Sequence, residues 1–507
     1  MIGRRLKSVG GLRVITATAA LILSLSVLTS PPASAAPAVS TSQDDLLHFV
    51  SRPDLQPPRI TVRTAAGGTA PGYIFLAPKT DGVSADPPLT QGGPEIVDDE
   101  GNPVWFGPRG DGTNLRTAAF QPQIYRGRPV LTWWEGYSIP DPKLGNPYFG
   151  NWVIMDQSYH VIGTVKPGNG LPYSDVHDMQ ITPWNTALIL VNQQKTVQVG
   201  DDRQTVVDNL IQEVDIASGR VLFQWSGLDH IPLSESCYPR NPEIPYHFLH
   251  LNSVSLDRDG NILASARHTS TVYKIDRKTG DIIWRLGGKN SDFTFEDGAS
   301  FAWQHDARRV ANGTISVFDN TTTANATGVD APSRALVLNV DPRHRTVSVA
   351  RSYPSPDGLL SGSQGSTQVL ADGNTFVGWG SHGYWTEFSA DGKVLLDASF
   401  ANPLVSSYRA LRFTWRGEPD DRPAVAGRSS ANGLTVYASW NGATDVAAWR
   451  VLAGDSAERL RRVAEVPRRG FETSAAVGRR ARYVAVQALD ARGRVLGTSA
   501  TAAVKAS

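Results

Sequence analysis

Ten histidines stand in the 507 residues, and several keep a fixed place relative to a recurring turn. The turn lies inside a pair of short strands that returns as QIYRGRPVLTWW, QITPWNTALILVN, SVSLDRDGNILASA, ARRVANGTISVFD and TQVLADGNTFVGW. Counting back about eight residues from the turn in these copies reaches His177 before Asn185, His250 before Asp259, His305 before Asn312 and Gln364 before Asp372. A second set lies just past the same hairpin: Glu135, Asn192, Arg267 with His268, Asp319 with Asn320, and Ser381 with His382. If the repeats pack around an axis, both sets converge on one mouth of a central channel as a ring of histidine, arginine and amide groups. Neutral imidazoles there could act as nucleophiles, and an arginine fork could hold an anion. His48, His160, His230 and His344 fall in the N-terminal segment or in linkers and turns and read as surface residues. His247, three residues from His250, stays open. Arg308 and Arg309 alternate along a strand, so at most one faces the axis.

The elements that must position these side chains are strands. A second recurring unit, a short apolar strand, an acidic turn and another apolar strand, appears near Asp98, Asp156, Asp215, Asp276, Asp341 and Asp391. With the first hairpin it makes a four-stranded antiparallel unit with period-2 alternation. The spacing predicts an all-β fold, a six-bladed β-propeller over residues 36–415. Seven blades is the other count, because the segment to about residue 90 either closes a blade or extends the sheet. Residues 416–423 are a linker rich in Gly, Pro and Asp. Residues 424–507 then read as a small fibronectin type III-like β-sandwich, with five strands evident.

Forty-nine Lys and Arg against 48 Asp and Glu give a formal net charge of +1, which argues against a nucleic-acid partner. The one cysteine, Cys237, excludes an intramolecular disulfide and any multi-cysteine metal site, and it reads as a buried small hydrophobe. Residues 1–35 have the basic start, apolar run and small-residue exit of a signal peptide, and Arg4-Arg5 allows twin-arginine export. A secreted chain with no later membrane span is the expectation. No metal and no cofactor is expected: Asn252 rather than a carboxylate follows His250, and an arginine nearby opposes a cation.

The segments YHFLHLNSVSLDRDGNILASARHTSTVYKIDRKTGDIIWRLGG, AWQHDARR, Ser333-Arg334-Ala335 and GWGSHGYWTEF resemble the arylsulfotransferase family, whose bacterial members use no nucleotide sulfate donor. The opening SRPDLQPPRITV and GYIFLAP resemble its actinobacterial and fungal branch. The resemblance spans roughly residues 50–415. It implies transfer of a sulfuryl group from a phenolic sulfate ester to a phenolic acceptor through a sulfohistidine. By position in the pattern, the resemblance implies His382 as the nucleophile, with His250, His305 and Arg334 around the sulfate; His268, Arg267, Asn252 and His177 are the further candidates for binding substrate. Arg309 or Arg267 could replace Arg334. A non-catalytic propeller module binding carbohydrate or peptide is the alternative. Oligomeric state, donor and acceptor are not readable.

Overall fold

The computed structural model describes residues 45–80, 91–109, 115–139, 141–145, 147–321, 332–431, 433–478 and 480–506. The chain divides into two compact units, Met1–Ser40 and Thr41–Ser507. The first, with the expected signal segment, lies outside the described residues; all that follows concerns the second.

Long helices are absent from the described residues, and strands carry the fold. Four sheets are plain meanders in chain order or extensions of one. The first joins Arg116–Tyr125, Arg128–Ser138, Tyr148–Met155 and Val161–Val165; the second joins Met179–Ile181, Thr186–Val199, Asp202–Asp215 and Val221–Ser226. The third joins Leu251–Leu256, Ile262–Ala266, Thr271–Ile275 and Ile282–Gly287. In the fourth, His305–Arg309, Ile315–Asp319, Arg334–Asp341 and Thr346–Pro354 are followed by the short edge strand Thr294–Phe295. A fifth meander, Ser366–Val369 to Val394–Phe400, takes Ile60–Thr64 onto its outer edge. The sixth sheet is built from both ends of this region, Leu411–Phe413 pairing with Tyr73–Leu76, then Glu95–Val97 and Pro103–Phe106. The N-terminal segment therefore does both things considered for it: it completes one sheet and extends another.

Period-2 alternation explains how the sheets stack. Along Thr186–Val199, Leu188 and Leu190 enter a core shared with the third sheet, while Ala187, Ile189 and Val191 enter a core shared with the first. The same sharing holds round the assembly, so six apolar cores each lie between two successive sheets. Strands covered on both faces, such as Ile262–Ala266, are buried at every residue; the outermost Val161–Val165 is mostly exposed. Each fully buried Leu, Ile or Val contributes about 1.5–3 kcal/mol. The first strands of the six sheets touch in sequence, Arg116–Tyr125 to Met179–Ile181 and on through Leu411–Phe413 back to Arg116–Tyr125.

The acidic turns work as side-chain caps. Asp98, Asp156, Asp215, Asp276 and Asp341 each accept a backbone N–H from two to four residues ahead, which holds the turn without a second chain. At the sixth copy Ser389 takes that place and accepts from the Lys393 N–H at 3.0 Å.

Beyond Trp415 the chain forms two further sheets around a shared core of Val436, Trp449, Val451, Val484 and Val486. One contains Ala424–Ser430 and Gly433–Ser439, the other Ala448–Gly454, Arg461–Pro467 and Tyr483–Leu489. Ala424–Ser430 and Arg461–Pro467 were not evident in the sequence because their polar composition hides the alternation. Cys237 is half-buried rather than buried.

Candidate functional site

A cavity of about 280 Å³ opens where the first strands begin. Its wall takes Thr117 and Ala118 from the first sheet, His177 from the second, His250 from the third, His305 from the fourth, Gln364 from the fifth and Tyr408 from the sixth. The counting-back set of the sequence therefore meets at one place, and Tyr408 supplies the sixth position. Lys79, Arg116, Tyr148, Arg267 and Ser363 complete the polar lining, and among the described residues no carboxylate lines it.

Backbone strain aims these residues. His250, Asp306, Gln364 and Ala119 have φ of 56°, 55°, 66° and 52°, in the left-handed region that side chains other than glycine rarely adopt. The pairing register slips just after His250, across Asp306 and across Ala119, so each bulge turns the start of a first strand inward.

The hydrogen bonds fix the tautomers. His177 Nδ1 is held by the Asp175 carboxylate, which leaves Nε2 as an acceptor 3.2 Å from His250 Nε2. In the arrangement with one proton on each ring, His250 Nε2 is the donor, and its Nδ1 keeps a lone pair with no partner among the described residues. The network closes on itself: Asn192 Nδ2 donates to the other Asp175 oxygen at 2.6 Å, Asn209 Nδ2 donates to Asn192 Oδ1, and Asn209 Oδ1 accepts the His250 backbone N–H at 2.8 Å. For His305, the Asn320 amide is oriented by donating to the Ser361 and Gln364 carbonyls, so its Oδ1 accepts from His305 Nδ1 at 2.7 Å. His305 Nε2 then bears the lone pair and meets the Gln364 N–H at 3.2 Å. His268 Nδ1 donates to the His247 carbonyl, its Nε2 accepts from Arg267 at 2.9 Å, and its ring stacks on Tyr238 at 4.2 Å.

Burial, followed by neighbouring cationic groups, pushes His250, His268 and His305 well below the usual imidazole range, so all three are neutral at ordinary pH. Burial also lowers His247, to about 4. Arg267 is pulled down to about 10 by desolvation and stays charged. It lies over the Trp303 ring at 4.4 Å and donates to the Gly362 carbonyl at 2.8 Å. No carboxylate pairs with it among the described residues, and its Nε has no hydrogen-bond partner. Such a cation is costly unless an anion joins it.

The second set of the sequence lands differently. Those residues lie on or just past the second strand of each sheet, about 4.8 Å further from the first-strand ring. Only Arg267 is long enough to reach the cavity. Asn192 and Asn320 stand behind it, orienting Asp175 and His305. His268 stands behind Arg267. His382, expected as the nucleophile, does not line the cavity; its Nε2 lies 3.2 Å from the Leu360 carbonyl, on the loop whose other end supplies Ser363 and Gln364. Arg334, on the third strand, is also absent from the lining: its Nε holds Asp319 at 3.0 Å and its Nη2 donates to the Ser300 carbonyl. Asn252 is buried beneath the site, donating to the Gln304 carbonyl at 2.7 Å. Arg308 turns to Asp178, while Arg309 pairs with Asp257.

Tyr408, Arg116, Lys79 and Tyr148 were missed. Tyr408 has a readable signal, since it precedes the Leu411–Phe413 strand much as His177 precedes Met179–Ile181; the hairpin ruler failed there because the next strand comes from the other end of the chain. Among the described residues no group of three His, Cys, Asp or Glu is arranged to hold a metal ion, and no helix is long and apolar enough to cross a membrane.

An all-β ring of sheets with a cationic, histidine-lined cavity is the class these observations define. Residues 121–401 match the family described as arylsulfotransferase (ASST). That is more than half of the chain, and the chain belongs to this family. No curated protein matches it. Among solved structures it is similar to a protein of unknown function from Bacteroides caccae, at 14% identity over 68% of this chain and 100% of that one, TM-score 0.40. It is also similar to an inactive virginiamycin B lyase from Staphylococcus aureus bound to quinupristin, at 8% identity over 72% and 86%, TM-score 0.30. A third is the β-propeller domain of Cps50 (Swd1) from Myceliophteria thermophila, at 11% identity over 76% and 97%, TM-score 0.34.

Proposed function

We propose that this chain is a secreted, nucleotide-independent aryl sulfate sulfotransferase built on a six-bladed propeller with a fibronectin type III-like module behind it. The observation that carries the reading is Arg267: a buried guanidinium with no carboxylate partner among the described residues, in a cavity that none of their carboxylates lines, beside three neutral imidazoles. The moving sulfuryl group spreads negative charge over its oxygens, so catalysis is mainly positioning and charge stabilisation, as in phosphoryl transfer. The Arg267 guanidinium, on the cavity wall, has N–H groups beyond the two given to His268 and the Gly362 carbonyl to meet that need. A cavity of about 280 Å³ suits one aryl sulfate.

The nucleophile best prepared for a covalent step is His250. Its Nδ1 attacks sulfur, the N–S bond forms, and the S–O bond to the aryl group breaks with the electron pair leaving on the aryl oxygen, which takes its proton from water. As positive charge grows on the ring, the Nε2 proton passes to His177, whose own Nδ1–H faces Asp175. The chain Asp175, His177, His250 thus has the logic of nucleophile, base and orienter. In the second half-reaction an acceptor phenol takes the place of the Gln364 N–H at His305 Nε2, gives its proton there and attacks sulfur, and His305 passes that proton to the hydroxide left by the first step. The N–S pair returns to His250 Nδ1, and His177 returns the proton.

The test is trapping. Enzyme mixed with a chromogenic aryl sulfate and no acceptor is quenched in alkali, where an N–S bond persists, and its mass and peptide map are measured. A sulfuryl adduct on His250, absent from His250→Ala, is the expected result. An adduct on His382 restores the family-pattern assignment; turnover without any adduct removes the double displacement.

A further inference from the structure

Two of the cavity histidines are followed by an aspartate, His177-Asp178 and His305-Asp306, and the two carboxylates do not enter the cavity. They meet one layer below it. Arg409 Nη1 donates to Asp178 Oδ1 at 2.8 Å, and its Nε lies 3.3 Å from Asp306 Oδ1. Arg308 closes the figure from the other side, Nη2 to Asp178 Oδ2 at 2.7 Å and Nε to Asp306 Oδ1 at 2.9 Å. The result is a neutral quartet, two carboxylates and two guanidiniums. Asp178, Asp306 and Arg409 are almost wholly buried in it. Arg409 comes from the sixth sheet, Asp178 from the edge of the second, and Asp306 and Arg308 from the fourth.

The residue before Arg409 makes the link to the site. The Tyr408 ring stands edge-on to His177 at 5.7 Å and to His305 at 6.4 Å, and the Arg409 guanidinium lies 5.2 Å from that ring's centre. Arg409 Nη2 and the Tyr408 hydroxyl both reach the Asn252 carbonyl, at 3.2 and 3.3 Å. Asp306 itself has a left-handed backbone inside a strand bulge, a conformation that needs surrounding bonds to hold it. An ion cluster of this kind is a poor way to gain stability, because desolvation offsets most of its attraction. It is a good way to fix a distance.

We infer that Tyr408 and Arg409, with Asp178, Asp306 and Arg308, form a clasp that sets the separation of His177 and His305 across the cavity. They are positioning residues: Tyr408 is the spacer between the imidazoles, and Arg409 ties the backbone steps that carry them. The catalytic consequence rests on the transfer proposed above; the geometric one does not. Sulfuryl transfer between fixed groups tolerates about 0.5 Å of displacement, and a 1 Å error can cost about 100-fold in rate.

The experiment uses the full chain and two variants. Asp306→Asn combined with Arg409→Gln removes one charge of each sign and leaves the Asp178–Arg308 pair, so the buried cluster stays neutral. Arg409→Lys keeps the charge but cannot bridge both carboxylates. For each, kcat and KM are measured with a chromogenic aryl sulfate, melting is followed, and the crystal structure is solved. The expected result is kcat lower by about tenfold or more with KM for the donor little changed. Melting stays within a few degrees, and the imidazole separation shifts or spreads into alternate positions. Arg409→Lys should lie between wild type and the double variant. Wild-type kcat together with unchanged imidazole separation in Arg409→Lys overturns the clasp, whether or not the double variant folds. If wild type transfers no sulfuryl group, the proposed function falls, and the crystal structures alone decide the clasp: a moved imidazole pair supports it, an unmoved pair overturns it.

Discussion

Replacing Arg267 with methionine isolates the charge that the cavity is built around. The side chain keeps an apolar stem as far as the ε position, while the guanidinium and its contact with Trp303 disappear. Three effects compete in the ligand-free protein. The cation over Trp303 at 4.4 Å is worth about 2 kcal/mol when desolvated, and the bonds to His268 Nε2 and the Gly362 carbonyl contribute about 1.5–3 kcal/mol each. Against them stands the cost of a buried charge with no carboxylate, several kcal/mol after relaxation. These nearly cancel, so melting should move by only a few degrees. Transition-state binding has no such offset. One lost donor to a developing oxyanion costs about 2.7–4 kcal/mol, or about 100- to 1,000-fold in kcat. The ligand-free signature is separate: sulfate at 100 times its Kd should stabilise wild type by about 2.7 kcal/mol and leave Arg267→Met unmoved. Aryl sulfate turnover and thermal melting with and without sulfate measure both. A variant with kcat/KM within threefold of wild type, or one still stabilised by sulfate, would refute the anion-site argument.

Other outcomes follow from the same geometry. His250→Ala should abolish both half-reactions while the fold survives, read by adduct mass and circular dichroism, whereas His382→Ala should keep at least a third of wild-type kcat. Asn320→Asp places a carboxylate on His305 Nδ1 and favours the imidazolium, so the acid limb of the pH–rate profile should move upward. The neutral His250, His268 and His305 make the unfolded chain bind more protons than the native one below pH 6.5. Stability should therefore fall on acidification from that point, by up to about 1.4 kcal/mol per pH unit per histidine, in urea titrations at several pH values. Glu95 is wholly buried with no hydrogen-bond partner for its carboxyl among the described residues, and desolvation pushes that carboxyl well up. The native state holds that proton above the pH where the unfolded chain releases it, so this term is lost as pH rises above about 4.5. Glu95→Gln should gain stability relative to wild type between pH 4.5 and 7 and not below, by the same titrations.

The sheets were legible because each alternates in period 2 and each turn carries its own cap, Asp215 or Asp276 binding the N–H groups ahead of it. Both signals are local. The sixth sheet was only half legible, since Leu411–Phe413 and Tyr73–Leu76 are neighbours by topology alone. The cavity followed the same division. His177, His250, His305 and Gln364 share one distance to a turn, and that distance converts into one depth in the ring. Tyr408 shares the depth but not the turn. Arg267, Asn192, Asn320 and His382 also share a repeat position, yet side-chain length and hydrogen bonding divide them: the arginine reaches the cavity, the amides orient what lines it, and His382 meets the Leu360 carbonyl.

That division carries a general physical consequence for this fold. A repeat position specifies where a backbone step lies, and a strained φ specifies which way its side chain leaves. His250 and Asp306 share the left-handed region one position out of step: the third sheet spends it on the imidazole and the fourth on the carboxylate after it. His250 then has to be aimed by side chains, through Asn209 on its N–H and His177 on its ring. His305 is aimed by the Asn320 amide on its Nδ1 and by its backbone neighbour, through the ion quartet below. Two histidines at one repeat position thus acquire different supports and carry the lone pair on different nitrogens, Nδ1 on His250 and Nε2, which accepts the Gln364 N–H, on His305. In the transfer proposed above, that difference assigns the nucleophile's place to His250 and the base's to His305.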